Sequence, residues 1–165
     1  MEKSVRLRNF VITLIFISCF LILFKPVLVQ QIIIRGDGYL GFGMNHDAIR
    51  QYKKALFLDS KNIDAKNWLA YAYKRSGQIE NAVETYKDSL RLSPNNLIAC
   101  YELGMIYATK GDFRQAKPYF LKASLISKED IPVSNEDYDF YHGGSLKMLD
   151  TCYKRLGENG KDLDL

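Results

Sequence analysis

The sequence predicts an all-α protein with an apolar N-terminal helix, a short series of about three helical hairpins and a C-terminal capping helix. One set of residue types returns every 34 residues, a period typical of stacked helical hairpins. An apolar run lies near the N-terminus, and the last helix-like segment has only a polar tail behind it. The chain that follows the apolar run is long enough for one small domain with a modest core.

The 34-residue period is clearest at three alanines, Ala48, Ala82 and Ala116. The residue types around each alanine return in the same order, with a glycine where each hairpin must turn. The second copy contains Leu69, Ala70, Tyr73, Gly77, Ala82, Tyr86, Ser89 and Pro94. The third contains Leu103, Gly104, Tyr107, Gly111, Ala116, Phe120, Ala123 and Lys128. The first keeps Gly36, Tyr39, Gly43, Ala48, Tyr52 and Ala55, with Arg35 in place of the leucine.

The spacing within each copy places one apolar stripe on each of two helices. Leu69, Ala70 and Tyr73 share one face of a first helix, and Ala82 and Tyr86 share one face of a second. The glycine between the stripes is free to take the positive φ that ends the first helix. Since one hairpin cannot bury both stripes alone, the next repeat must cover it.

This set of residues resembles the tetratricopeptide repeat, and three repeats are expected at 29–62, 63–96 and 97–128. The resemblance implies a short α-solenoid that holds other proteins. In this family the first helices of successive repeats line a concave groove. Carried over to this chain, the predicted groove residues are Asn67, Trp68, Tyr71, Lys74, Arg75, Tyr101, Met105 and Lys147. Asp64, Ile98, Glu102 and Thr151 stand at neighbouring groove positions.

A mixed aromatic and cationic groove suits an extended or helical peptide with some acidic residues, since aromatic side chains dominate binding energy at interfaces. The alternative is that Trp68 and Tyr101 pack on their neighbours instead. One branch of the family clamps a terminal carboxylate with lysine, asparagine and arginine in three repeats. Here Trp68 and Ile98 stand at clamp positions, so the resemblance does not imply that activity.

Residues 129–144 break the period and form an acidic insert, and residues 145–165 are predicted to be a capping helix with a polar tail. Leu149 and Tyr153 repeat the spacing of a first helix, and such a helix would cover the last hairpin. The insert is either a solvated acidic loop or a short helix. Ser134 stands before acidic residues in the order expected for an N-cap, which would allow the helix, but the solvated loop is the preferred interpretation.

Residues 1–28 are predicted to be a cytoplasmic flank and a transmembrane signal-anchor. Phe10 to Phe24 is an apolar run that flanking residues extend toward the 20 or so needed to span a bilayer. A cleaved secretory signal is the alternative, but the run ends without the small residues that cleavage needs. Cys19 fits a lipoprotein signal only in part, because Phe16 does not fit and more apolar residues follow.

The charges that flank this run predict its orientation. Lys3, Arg6 and Arg8 precede the run, which favours a cytoplasmic N-terminus. A single-pass membrane protein with its repeats on the extracytoplasmic, periplasmic-type side is therefore expected. Two classes of function stay open. The first is a membrane-anchored adaptor or assembly factor that binds a protein or peptide in its groove. The second is a structural subunit of an envelope or membrane complex that self-associates through its array.

The sequence contains one enzyme-like motif, the G-x-G-x-x-G of Gly36, Gly38 and Gly41. A dinucleotide site needs a parallel sheet behind this motif, and no later strands are predicted. The glycines are in phase with the repeat, and they predict a poor first helix because glycine weakens helix interiors. Nucleotide binding is the least favoured alternative.

No other pattern indicates catalysis, a cofactor or a metal. His46 and His142 stand apart from any nucleophile or metal-ligand spacing, and the three cysteines fit no metal or disulfide framework. The net charge of +4 is scattered over helix faces and is not gathered with aromatics, so no nucleic-acid partner is predicted. A non-enzymatic binding protein is expected.

Overall fold

The computed structural model describes residues 2–158, apart from the side chains of residues 2–8, 16–17 and 19–21. This part of the chain is all helical and contains no strand. The α-helices are α1 (Glu2–Gly41), α2 (Asn45–Leu58), α3 (Ile63–Arg75), α4 (Ile79–Leu92), α5 (Leu97–Thr109), α6 (Phe113–Ser124) and α7 (Asn135–Leu156), with one 3-10 turn at Lys128–Asp130. They form two compact units, and the boundary between the units along the chain falls between Asn62 and Ile63.

The first unit is a hairpin of α1 and α2. Val29, Ile33 and Leu40 are buried on α1, so the C-terminal part of this helix packs on its partner helix. The glycines do not break α1, which runs without interruption to Gly41, and the prediction of a poor first helix is wrong. Gly36 instead allows close packing, because a Cβ atom there would lie only 2.6 Å from the ring of Tyr52.

We predict opposite effects of alanine at two neighbouring glycines of α1. Gly36→Ala should destabilise the first unit by about 1–3 kcal/mol, since Tyr52 is fully buried and its hydroxyl donates to Asp37 at 2.7 Å, so the ring cannot move away. Gly38 has open space around it, and Gly38→Ala should stabilise the helix by about 0.5–1 kcal/mol. Urea unfolding of both variants measures the difference. A gain in stability from Gly36→Ala would contradict the packing.

The second unit contains two helical hairpins, α3 with α4 and α5 with α6, and the helix α7 that packs on α5 and α6. The predicted turn glycines are confirmed, since Gly77 and Gly111 have φ of 79° and 78°. Tyr86 and Phe120 are fully buried at the same repeat position, as the 34-residue phase predicts. Local periodicity is therefore sufficient to place both hairpin turns and the largest core side chains.

The acidic insert from Asn135 onward and the capping segment form one helix, α7. The side chain of Ser134 accepts a hydrogen bond from the Asp137 amide at 3.0 Å, so the predicted N-cap is confirmed and a loop from Asn135 onward is wrong. Leu149 and Cys152 are buried against α5 and α6. The helix is thus longer at its N-terminal end than a cap requires, and this extra length reaches the candidate site. The polar tail, residues 159–165, lies outside the described residues.

The N-terminal prediction needs correction. No helix within residues 2–158 is long and apolar enough to cross a membrane. A spanning helix needs about 20 mostly apolar residues, and the described part of α1 does not provide them. The predicted single-pass anchor, and with it the extracytoplasmic location of the repeats, is therefore wrong. The side chains of Lys3, Arg6, Arg8 and Cys19, on which the predicted orientation and the lipoprotein alternative depend, lie outside the described residues.

Candidate functional site

The second unit contains a cavity of about 640 Å³, which we call the aromatic groove. It is bounded by α3, α5, Tyr86 of α4 and the segment 132–141, which leads into α7 and forms its first turns. Its lining residues are Asp64, Asn67, Trp68, Tyr71, Lys74, Tyr86, Ile98, Tyr101, Glu102, Met105, Pro132, Val133, Ser134, Asp137, Phe140 and Tyr141.

One face of α3 supplies the first wall of the groove. Residues 64, 67, 68, 71 and 74 are linked by separations of three and four positions, such as 64 to 68 and 67 to 71, which keep side chains on one side of a helix. Trp68 is 41% exposed, and its ring meets the edge of Tyr71 with 6.1 Å between centroids. Both sequence alternatives hold for Trp68, because it packs on a neighbour and also presents surface to the groove.

The segment 132–141 supplies the opposite wall. The Tyr101 ring of α5 contacts Phe140 and Tyr141, with centroids 5.9 and 5.3 Å apart. Gly144 allows this approach, since a Cβ atom there would lie 2.9 Å from the Tyr101 ring. The sequence did not predict this wall; it led us to expect the capping helix to line the groove with Lys147 and Thr151. The concentration of aromatic residues before a glycine pair was the available signal.

The charges of the groove are opposite to the predicted ones. Lys74 forms an ion pair with Glu102, whose side chain is buried, and the Lys74 ammonium lies 4.8 Å from the centroid of the Tyr71 ring. Asp64 and Asp137 also line the groove, so three carboxylates face one ammonium group. The lining therefore has a formal charge of −2, although the whole chain carries +4. The expectation of a cationic groove is wrong because Lys74 already has a partner.

One residue of the lining, Tyr86, carries a buried hydroxyl. Tyr86 is fully buried, and its hydroxyl has no hydrogen-bond partner among the residues that the structure describes. Burial, and secondly the nearby charge of Glu102, raise the pKa of Tyr86. Burial and the same carboxylate raise the pKa of Tyr141 to about 12. Both phenols are therefore neutral hydrogen-bonding groups at neutral pH.

Asn67 has a structural role as well as a place in the lining. Its side-chain amide exchanges two hydrogen bonds with that of Asn96, at 2.8 and 3.3 Å, and it also accepts one from Ser89 at 2.9 Å. Asn96 in turn caps α5 by accepting from the Ala99 amide at 3.1 Å. This buried network holds α3, α4 and the start of α5 together, and so it positions two walls of the groove.

Six of the eight residues predicted for the groove meet at this cavity, while Arg75 and Lys147 are not among its lining residues. The six are Asn67, Trp68, Tyr71, Lys74, Tyr101 and Met105. Their role in binding stays a prediction. The glycines of the enzyme-like motif lie inside helix α1, so the strand that a dinucleotide site requires does not precede them in the described chain.

The fold and the groove define a protein of the helical-hairpin repeat class. Residues 71–111 match the model of a family described as TPR repeat, and residues 97–130 match that of a family described as tetratricopeptide repeat. Residues 71–130 therefore carry tetratricopeptide repeats, as the periodicity of the sequence indicates. No curated protein matches the sequence.

Solved structures share this fold. The Sgt2 TPR domain from Aspergillus fumigatus superposes with a TM-score of 0.63 at 22% identity, over 78% of this chain and 79% of that chain. PcrH from Pseudomonas aeruginosa, in complex with the chaperone binding region of PopD, gives 0.70 at 16% identity, over 79% and 95%. The Yersinia enterocolitica type III secretion chaperone SycD, in complex with a peptide of the translocator YopD, gives 0.66 at 16% identity, over 78% and 95%. At these identities the likeness extends to the fold alone.

Proposed function

We propose that this chain is a protein-interaction module and that the aromatic groove binds a peptide segment of a partner protein. The observation that carries the proposal is the convergence of aromatic side chains from four helices on one open cavity, with Trp68 only partly covered. Aromatic residues that offer such partly buried surface are the usual anchors of protein interfaces. The proposed role is binding, without catalysis.

Two structures of the same fold support a peptide as the ligand. PcrH was solved with the chaperone binding region of PopD, and SycD with a peptide of YopD. The cavity of about 640 Å³ has the size of a site that takes a few side chains and not a whole domain. A short segment of a partner therefore fits the groove better than a flat protein surface does.

The alternative, a structural subunit that stacks on itself, is less well supported. Open stacking needs a hairpin face that is left uncovered. Here α7 packs on α5 and α6 and buries Leu149 and Cys152 against them. The C-terminal face of the last hairpin is thus already occupied by the chain itself, which favours a discrete binding module.

The proposal predicts that Tyr71→Ala abolishes most peptide binding. Dodecapeptides selected from a random phage-displayed library against the full chain should bind the groove. Because Trp68 is the one tryptophan of the chain, its fluorescence should shift as a bound peptide covers the ring. Tyr71→Ala should weaken the selected peptides tenfold or more, since a central aromatic anchor is worth about 2 kcal/mol or more.

Phe57→Ala provides the matched control. Phe57 is an aromatic residue of the first unit and is 88% exposed, so it supports neither the groove nor a core. Its removal should leave both the affinity and the thermal midpoint unchanged. Lys74→Glu is unsuitable, because it would place a second carboxylate beside the buried Glu102. Selected peptides that bind Tyr71→Ala as tightly as the parent chain, without a change in Trp68 emission, would place binding elsewhere.

A further inference from the structure

We infer that the segment bound in the aromatic groove carries a lysine or arginine beside its apolar anchor residue. This inference rests on the proposed function and adds the charge of the ligand to it. It reverses the expectation from the sequence, which gave the groove a cationic character and the ligand acidic residues.

The first observation is the sign of the charge in the lining. Asp64 from α3, Glu102 from α5 and Asp137 from α7 face a cavity that contains one cation, Lys74. That cation is already paired with Glu102. Asp64 and Asp137 are exposed at the rim, on opposite walls, so a ligand that enters between them meets negative charge on both sides.

The second observation is the environment that the groove offers a cation. The Lys74 ammonium already lies over the Tyr71 ring, 4.8 Å from its centroid. Trp68, Tyr101 and Phe140 add further aromatic rings to the same lining. Ring faces attract ammonium and guanidinium groups, more so where water is excluded. The apolar stem of a lysine or arginine can also pack on these rings while its charged end reaches the rim.

The third observation is the buried hydroxyl of Tyr86, which has no hydrogen-bond partner in the described part of the chain. Tyr86 is fully buried, and it belongs to the lining of the groove. A phenol oxygen accepts hydrogen bonds from N–H groups. Since this oxygen has almost no exposed surface, a ligand N–H group could pair with it only after neighbouring side chains shift; the nearby Glu102 carboxylate favours such a donor over an anionic group.

The test uses the dodecapeptides selected against the full chain. Their sequences should be enriched in lysine or arginine next to an apolar residue, relative to the unselected library. Replacing that basic residue by glutamine should weaken binding, and replacing it by glutamate should weaken it further. The preference for the basic peptide should shrink as NaCl is raised, because salt screens charges at an exposed rim.

A matched set of protein variants removes the groove carboxylates instead of the basic residue of the peptide. Asp64→Asn with Asp137→Asn should weaken the basic peptide about three- to tenfold, as expected for two exposed charge pairs, and leave its glutamine analogue unchanged. The Asp137→Asn change keeps a side-chain oxygen that can accept from the Ser134 hydroxyl, so the cap of α7 is preserved. The control is Asp139→Asn, an exposed carboxylate of α7 outside the lining, which should change neither affinity.

The outcomes separate the two proposals. Groove-dependent peptides that show no preference for basic residues, or that prefer acidic ones, would overturn this inference and leave the proposed function intact. Equal losses for the basic and glutamine peptides in the double variant would overturn it as well. A library that yields no peptide sensitive to Tyr71→Ala would overturn the proposed function and this inference together.

Discussion

Replacing Asn96 by alanine is expected to lower the free energy of unfolding of the second unit by about 2–4 kcal/mol. About 1 kcal/mol of this comes from the lost N-cap of α5, where Asn96 accepts from the Ala99 amide. A further 1–3 kcal/mol or so comes from leaving the amide of Asn67 without its reciprocal partner in a buried site. Ser89 loses one of its hydrogen bonds in the same step.

The neighbouring Asn95 is the control for this prediction, since it is exposed and has the same side chain. Asn95→Ala should stay within about 0.5 kcal/mol of the parent, as surface substitutions usually do. Urea denaturation with unchanged m-values measures both variants. Equal unfolding midpoints for Asn95→Ala and Asn96→Ala would mean that the buried amide network does not join the two hairpins.

Phe120→Ala is expected to cost about 3–5 kcal/mol, because a fully buried aromatic ring is removed from the contact between α5 and α6. The more specific expectation concerns Gly104. A Cβ atom at this glycine would lie 2.7 Å from the Phe120 ring, so Gly104→Ala should destabilise the parent chain. In the Phe120→Ala background the same methyl group enters the space that the ring has left and should stabilise the protein.

The coupling between the two sites is measured by a double-mutant cycle and should amount to about 1–3 kcal/mol. Gly143→Ala is the control, because a Cβ atom at this helical glycine of α7 meets nothing within 4 Å. It should stabilise both backgrounds equally, by the helix propensity of alanine alone. Strict additivity of Gly104→Ala and Phe120→Ala would contradict the close contact between them.

The groove shows where sequence reasoning succeeds. The side chains of α3 and α5 that line it follow from helical spacing, so Trp68, Tyr71 and Tyr101 could be placed together from the 34-residue phase. Positions on one helix face are a property of the local chain. The N-cap at Ser134 is local in the same sense, since its side chain bonds an amide only three residues away.

The other wall and the charge of the groove could not be obtained in this way. The contact of Tyr101 with Tyr141 joins residues 40 positions apart, and it depends on how α7 is laid across α5. Lys74 and Glu102 stand in different repeats, 28 positions apart, and their pairing removes the cation that the sequence suggested. Both the ring contact and the ion pair depend on distances between helices, and the periodicity of the sequence does not predict those distances.

Three aromatic residues at one repeat position show the division between sequence and tertiary structure. The 34-residue period by itself determines that Tyr52, Tyr86 and Phe120 are core residues, and all three are fully buried. Only the tertiary structure decides what the hydroxyls do: that of Tyr52 donates to Asp37, while that of Tyr86 has no partner among the described residues. The physical reason is that burial is set within one helix and a hydrogen bond between two. Burial of a stripe follows from the spacing of apolar residues along one helix, whereas a hydrogen bond requires a particular atom of another helix within about 3 Å.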